Sequence, residues 1–276
     1  MNCRLCNYQT KEIFSNVILK KYNIKYYKCE NCKLIQTESP YWLNKAYQDS
    51  ISILDTGIFE RNLRLSKLIT VVLSLDFNFK KRFWNLGFLD NSKLYKRFEN
   101  RLYDLGGGYG ILVRLLRDIG IDAYWRDKYS KNLFARGFEF SERNAEAITA
   151  FELWEHYDNP YSEMEDIFKK YNPEILFVST TLYDGEFPKS DWWYYSFETG
   201  QHICFYNQET MNYISKTYNY NLLLLSHDFI IFSKSKLNSE LVFECFRNYK
   251  NIFEKIQFLY ETKTYQDHGF LKKEIE

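Results

Sequence analysis

Two sets of residues in this chain have the types and spacing for chemistry. The first is a pair of Cys-x2-Cys knuckles, Cys3 with Cys6 and Cys29 with Cys32, separated by 22 residues. Thiolates so spaced can converge tetrahedrally on one Zn2+, and an all-cysteine set leaves no open coordination position, so the ion expected is structural. The alternative is four free cysteines in that pattern by chance. The second set is the run Tyr103-Asp104-Leu105-Gly106-Gly107-Gly108-Tyr109-Gly110. Gly106, Gly108 and Gly110 let a backbone turn approach a ligand closely at the end of a strand. A dinucleotide fingerprint wants its third glycine at position 111, which is Ile111, so the spacing here is Asp-x-Gly-x-Gly-x-Gly. A plain flexible loop and a nicotinamide-dependent enzyme are the competing readings.

Positioning these residues requires particular elements around them. Arg101 to Leu105 reads as a short strand, and Leu112, Leu115, Leu116 and Ile119 form the apolar stripe of the helix after the glycines. Further strands are expected at Ile121 to Trp125, Ala147 to Phe151 and Glu174 to Ser179, with a helix from Tyr161 to Lys170. Alternation of this kind implies a mostly parallel sheet covered on both faces. Asp158-Asn159-Pro160 reads as a helix start. A helix through Met211, Ile214 and Tyr218 is followed by Leu222 to Leu225 and Phe229 to Phe232, an antiparallel edge hairpin. The expected division is a zinc-binding head (1–39), a helical connecting or substrate-lid segment (40–100), a βα body (101–235) and a helical tail (236–276). In the connecting segment, Leu65, Leu68, Ile69 and Val72 carry helical spacing.

The Asp104 to Gly110 spacing resembles the first motif of class I S-adenosylmethionine-dependent methyltransferases. That resemblance implies a Rossmann-like α/β sheet, S-adenosylmethionine as cofactor, and an acidic residue ending the second strand to hold the ribose hydroxyls, a position that Asp127 fills about 20 residues on. The block Phe151-Glu152-Leu153-Trp154-Glu155-His156 is similar to the segment that follows the fourth strand in sugar and small-molecule methyltransferases. It implies Phe151 and Glu152 on the cofactor side and Glu155 and His156 on the substrate side, with a structural role for the Glu-His pair the competing reading.

A zinc-binding head joined to such a body is similar to the deoxysugar C-methyltransferases and related glycan-cluster enzymes. The similarity extends to Trp192-Trp193-Tyr194-Tyr195 and to Gly200-Gln201-His202-Ile203-Cys204-Phe205-Tyr206, where stacking faces for a sugar stand beside an imidazole. An aromatic core patch is the bland alternative for the first of these. Methyl transfer is an in-line displacement that needs an aligned nucleophile and a base; His202, assisted by Glu155, His156 or Tyr206, is the expected base. The family's tyrosine-rich catalytic cluster has no residue-by-residue counterpart, so O- and C-methylation both stay open. If the acceptor is a nucleotide-linked sugar, Arg61, beside Asp55-Thr56-Gly57, is the natural diphosphate partner; a helix cap with a surface arginine is the competing reading.

Composition narrows the partners. With 37 basic and 36 acidic residues in 276, the net charge of +1 gives no global reason to expect nucleic acid or an anionic membrane. A sugar or sugar nucleotide is the expected substrate. Tyr 24 and Phe 23 contribute to an aromatic content of 19%, which reads mainly as the codon bias of an AT-rich genome, although exposed aromatics would suit a sugar or a partner surface. The longest apolar run, Ile69 to Leu75, falls far short of the ~20 residues of a spanning helix, and no signal-peptide pattern follows Met1. A cytoplasmic location follows as an expectation, with Cys204 and Cys245 as core thiols. Rival functions are a nucleic-acid or small-metabolite methyltransferase and a zinc-bearing interaction protein on the same fold.

Overall fold

A computed structural model describes residues 1–48, 51, 55–75, 95–140, 145–185 and 187–275. The part of the expected connecting segment at 76–94 lies outside the described residues. The head is built from β1 (Thr10–Ile18), β2 (Tyr22–Cys29) and β3 (Ile35–Thr37), paired antiparallel in that order. Two helices follow, the single-turn α1 (Leu43–Ala46) and the longer α2 (Ile58–Leu73), in which Leu65, Leu68, Ile69 and Val72 are all buried.

The body then alternates as expected: β4 (Arg101–Leu105), α3 (Ile111–Ile119), β5 (Asp122–Arg126), β6 (Ala147–Phe151), α4 (Pro160–Glu165) and β7 (Ile175–Ser179). Asn159 caps α4 by accepting from the Ser162 amide at 3.2 Å, with Pro160 at its first position, and a π-helical turn continues it to Tyr171. After β7 come the two-residue β8 (Cys204–Phe205), α5 (Gln208–Tyr218), β9 (Asn221–Leu224), β10 (Phe229–Ser233), α6 (Ser239–Ile256) and α7 (Thr264–Ile275).

The main sheet runs β5-β4-β6-β7-β10-β9. Its first four strands are parallel, and the β9–β10 hairpin closes one edge antiparallel, β10 lying against β7. Because β7 and β10 are covered on both faces they are continuously buried, which explains their unbroken apolar character. One face packs on α2, α3 and α6 through Leu68, Leu116, Phe177, Ile231 and Val242. The other packs on α4, α5 and the turn after β6 through Ile148, Trp154, Met164, Ile214 and Phe232.

Strand β8 does not join this sheet. It pairs antiparallel with β3, Gln36 opposite Cys204 and Ile35 opposite Phe205, so the body supplies the fourth strand of the head. The division at residue 39 is therefore one of chain order and not of packing. Ile24, Tyr26, Ile35 and Trp42 from the N-terminal side share one core with Tyr194, Tyr195, Ile203 and Phe205. Among the described residues, no helix is long and apolar enough to cross a membrane.

Candidate active site

The glycine run forms the turn between β4 and α3, with Gly106, Gly108 and Gly110 at φ of 69°, 52° and 85°. The Gly106 and Gly107 amides donate to the Arg126 carbonyl at 2.8 and 3.1 Å, which ties the turn to the end of β5. A Cβ on Gly110 would lie 2.7 Å from Asn132 Oδ1 and 3.1 Å from the Ala135 amide nitrogen. Gly108 is different: a Cβ there would meet only Ile51 Cδ1, at 3.4 Å. Its α-carbon faces a cavity of about 750 Å3, so the turn forms an open cradle that a side chain would enter.

Two carboxylates shape this cradle. Asp104 is buried beneath it and accepts from the Thr149 hydroxyl at 2.7 Å; burial, reinforced by the nearby Asp127 charge, pushes its carboxyl up to about 7. Asp127 Oδ2 accepts from the Gly108 amide at 3.0 Å, and Oδ1 accepts from the Tyr129 and Ser130 amides, each at 2.7 Å. A carboxylate offers about four lone-pair sites. With three in use, accepting capacity remains on Oδ2, the oxygen that takes the Gly108 amide.

The opposite wall comes from the turn after β6 and the loop before β8. Glu152 adopts a φ of 47°, and its Oε1 accepts from the Ser179 hydroxyl at 2.7 Å. Glu155 is 0% exposed: Oε1 accepts from the Tyr194 hydroxyl at 2.7 Å, whereas Oε2 is buried without a hydrogen-bond partner. Burial pushes both carboxyls up to about 7, helped at Glu152 by the charge of Glu155 and opposed at Glu155 by the Tyr194 hydrogen bond. His156 and His202 meet edge to face, their ring centroids 4.9 Å apart. His156 Nδ1 donates to the Gln201 carbonyl at 3.1 Å and His202 Nδ1 to the Tyr194 carbonyl at 2.7 Å. Burial lowers both imidazoles, and the His156 ring helps bring His202 down to about 3, so His202 is neutral across the physiological range.

Asp104, Gly106, Gly108, Asp127, Phe151, Glu152, His156 and His202 all line the one cavity. Gly110 stands behind the turn as the left-handed residue that starts α3. Tyr206 is a correction: it is 0% exposed and its hydroxyl donates to the Trp154 carbonyl at 3.0 Å, so burial in the core keeps it from the cavity. Of the four-aromatic run, Tyr194 and Tyr195 are core residues and only Trp193, 74% exposed, lines the cavity. Arg61 lines it too, but its guanidinium is held in a two-point pair with Asp55 at 3.1 and 2.7 Å. Sequence reading missed Tyr47, which stacks on Tyr129 at 4.1 Å over the cavity, its buried hydroxyl without a partner among the described residues. It also missed Tyr194 as the partner of Glu155. Both act through contacts distant in sequence, and no local pattern announces them.

The four knuckle cysteines converge with Cys3 Sγ 3.5 Å from Cys32 Sγ and Cys6 Sγ 3.4 Å from Cys29 Sγ, all four sulfurs lying within 4.8 Å of one another. Tetrahedral Zn–S bonds of about 2.3 Å place sulfurs ~3.8 Å apart, so the set fits that ion. Between the knuckle residues, Arg4 reaches into the body. It donates to the Ile203 carbonyl at 2.8 Å and to the Asp158 carbonyl at 3.2 Å.

No curated protein matches the chain. Among solved structures it is similar to an O-methyltransferase family protein from Burkholderia thailandensis, at 11% identity over 71% of this chain and 63% of that one, with a TM-score of 0.41. It is similar to human N-acetylserotonin methyltransferase in complex with SAM, at 12% identity over 71% and 66%, TM-score 0.40. A third similarity is to the methyltransferase domain of bacterial CtHen1-C, at 13% identity over 50% and 90%, TM-score 0.34. The chain spans under two thirds of the length of the first two. The methyltransferase domain family model matches residues 55–225, more than half of the chain and the stretch that holds both walls of the cavity. The chain belongs to the methyltransferase domain family.

Proposed function

We propose that the chain is an S-adenosylmethionine-dependent methyltransferase whose acceptor is a sugar, nucleotide-linked or part of a glycan precursor. The observation that carries this reading is the single cavity that has the open Gly108 cradle on one wall and Glu152, His156 and His202 on the other. In this reading the cradle and the remaining lone pair of Asp127 hold the nucleoside, Asp104 supports the turn from below, and Phe151 and Glu152 border the methionine part. Bound there, S-adenosylmethionine supplies the methyl group: carbon passes to the acceptor, the C–S electron pair stays on sulfur, and the acceptor's proton goes to a base.

The chain's own residues must then hold the acceptor and receive that proton. The Glu155–His156–His202 cluster offers lone pairs and few donors, which suits an acceptor that brings a hydroxyl hydrogen. Trp193 supplies an exposed stacking face for a pyranose ring. Asn62, Glu198 and the Asp55–Arg61 pair add the hydrogen-bonding edge that a polyhydroxylated ligand needs. Arg61 contacts a diphosphate only if it exchanges Asp55 for phosphate. The head, in this reading, carries one structural zinc on Cys3, Cys6, Cys29 and Cys32.

Calorimetry with S-adenosylmethionine tests the cofactor: wild type binds and Gly108→Arg does not. Transfer of a labelled methyl group to a panel of nucleotide sugars tests the acceptor. Absence of binding by wild type overturns the whole reading, and label transferred only to RNA overturns the sugar.

A further inference from the structure

Among the described residues, two clusters of metal-donor side chains stand out: the four cysteines and the trio Glu155, His156 and His202, each of which offers one ligand atom within 4.8 Å of the others. The trio's hydrogen bonds leave an unusual remainder. A carbonyl oxygen only accepts, so both Nδ1 atoms carry the ring protons that they give to Gln201 and Tyr194, and each Nε2 keeps its lone pair. Glu155 Oε1 is engaged by Tyr194, but Oε2 is buried and has no partner. Among the described residues, three electron-pair donors thus converge in a half-buried spot, with Glu155 Oε2 left without a hydrogen-bond partner. One water has two hydrogens for three acceptors, whereas a cation satisfies all three at once.

We propose that Glu155, His156 and His202 bind a divalent transition-metal cation beside the cofactor cavity and present it to an oxygen of the acceptor. Imidazoles oriented by backbone carbonyls through their second nitrogen are held as metal ligands are usually held. Two imidazoles and a carboxylate suit a first-row ion such as Mn2+ or Co2+, whereas the four thiolates of the head select zinc. Only three protein ligands are provided, and the two imidazoles border the cavity, so the ion's open positions face the acceptor. An oxygen ligand in that place would be an acceptor hydroxyl or enolate, polarised by the ion and held beside Glu152, which with the ion bound takes a hydroxyl's proton in place of the imidazoles. The identity of the acceptor rests on the reading proposed above, whereas the ion site does not.

Titrating the full chain with Mn2+, with the free ion counted by electron paramagnetic resonance, is expected to give one bound Mn2+ per chain. His202→Gln and Glu155→Gln are each expected to weaken it by about 100-fold, with circular dichroism and the zinc content of the head unchanged. His156→Gln takes the place of Glu155→Gln if the latter fails to fold. Failure of wild type to bind Mn2+, or an unchanged affinity in the folded variants, overturns the proposal. Calorimetry with S-adenosylmethionine on the same samples separates the two readings. Mn2+ binding without S-adenosylmethionine binding supports the ion site and overturns the methyl-donor reading; the reverse overturns the ion site alone.

Discussion

Arg4, fixed between the two cysteines of the first knuckle, donates to the carbonyl of Ile203, the residue next to His202, at 2.8 Å. The Ile203 amide in turn donates to the Glu155 carbonyl at 2.8 Å. The cysteine cluster is thereby linked to the wall that carries His202 by one side-chain and one backbone hydrogen bond in succession. Arg4→Met removes the charged donor and keeps the apolar stem. It is expected to destabilise the fold by about 2 kcal/mol and to lower methyl transfer. Urea denaturation measures the first effect, and turnover at saturating cofactor the second.

Metal removal from the head extends the same link. Purified protein is expected to carry one zinc per chain, and a strong chelator is expected to lower the thermal midpoint and to disorder the β3–β8 pairing. Cys29→Ser should reproduce both effects. Elemental analysis combined with a melting curve checks this, and a midpoint unmoved by chelation would remove the structural role of the ion.

Gly108 and Gly110 make opposite demands on a methyl group. Both hold positive φ, so alanine at either costs about 1–2 kcal/mol in backbone strain. At Gly110 the added carbon also strikes Asn132 and the Ala135 amide nitrogen, so Gly110→Ala should be the less stable protein. At Gly108 the carbon enters the cavity, so Gly108→Ala should lose more cofactor affinity than stability. Thermal melts and calorimetric titrations on the pair separate the two effects.

Asp104 should make stability depend on pH. Its folded-state pKa of about 7 lies above the usual 3.8, so between those values the native state holds a proton that the unfolded chain has released. The contribution is complete below 3.8, falls as pH rises through the window, and is flat above about 7. The decline is at most about 4 kcal/mol. Asp104→Asn, which still accepts from Thr149, should reduce the slope in denaturation measured from pH 4 to 8 by Asp104's share, leaving the parallel contributions of Glu152 and Glu155.

Trp193→Ala tests acceptor stacking without disturbing the core. The side chain is 74% exposed, so stability should change by less than about 0.5 kcal/mol. KM for the acceptor should rise while S-adenosylmethionine affinity stays level. Equal losses in both would place Trp193 in a structural role.

What the sequence disclosed was local. The glycine turn, Asp127 and the cysteine knuckles each lie within a few residues of their own pattern, and the strands at Ala147 to Phe151 and Ile175 to Ser179 are marked by β-branched and apolar runs. Gln201-His202 is legible as an imidazole next to an aromatic run, and Glu155-His156 by its place after a strand. That these approach within hydrogen-bonding distance of one another depends on β8 pairing with β3, and two residues are too short to show a strand by periodicity. Tyr206 was misread for a related reason. Phenol groups look alike in sequence, and only burial shows that this one is bonded to Trp154.

Strand β8 also bears on how the molecule is made. The exposed edge of β3 waits for residues 204 and 205, which leave the ribosome only after most of the parallel sheet has been synthesised. Until then the nascent head presents an unpaired strand edge and an incomplete core to its surroundings, the state in which chains mispair. Tyr194, Tyr195 and Phe205 complete that core and arrive on the same late segment that brings His202. The residues that close the N-terminal sheet and His202 therefore lie on one segment, so a chain that stalls before residue 205 has neither the closed sheet nor that wall of the cavity.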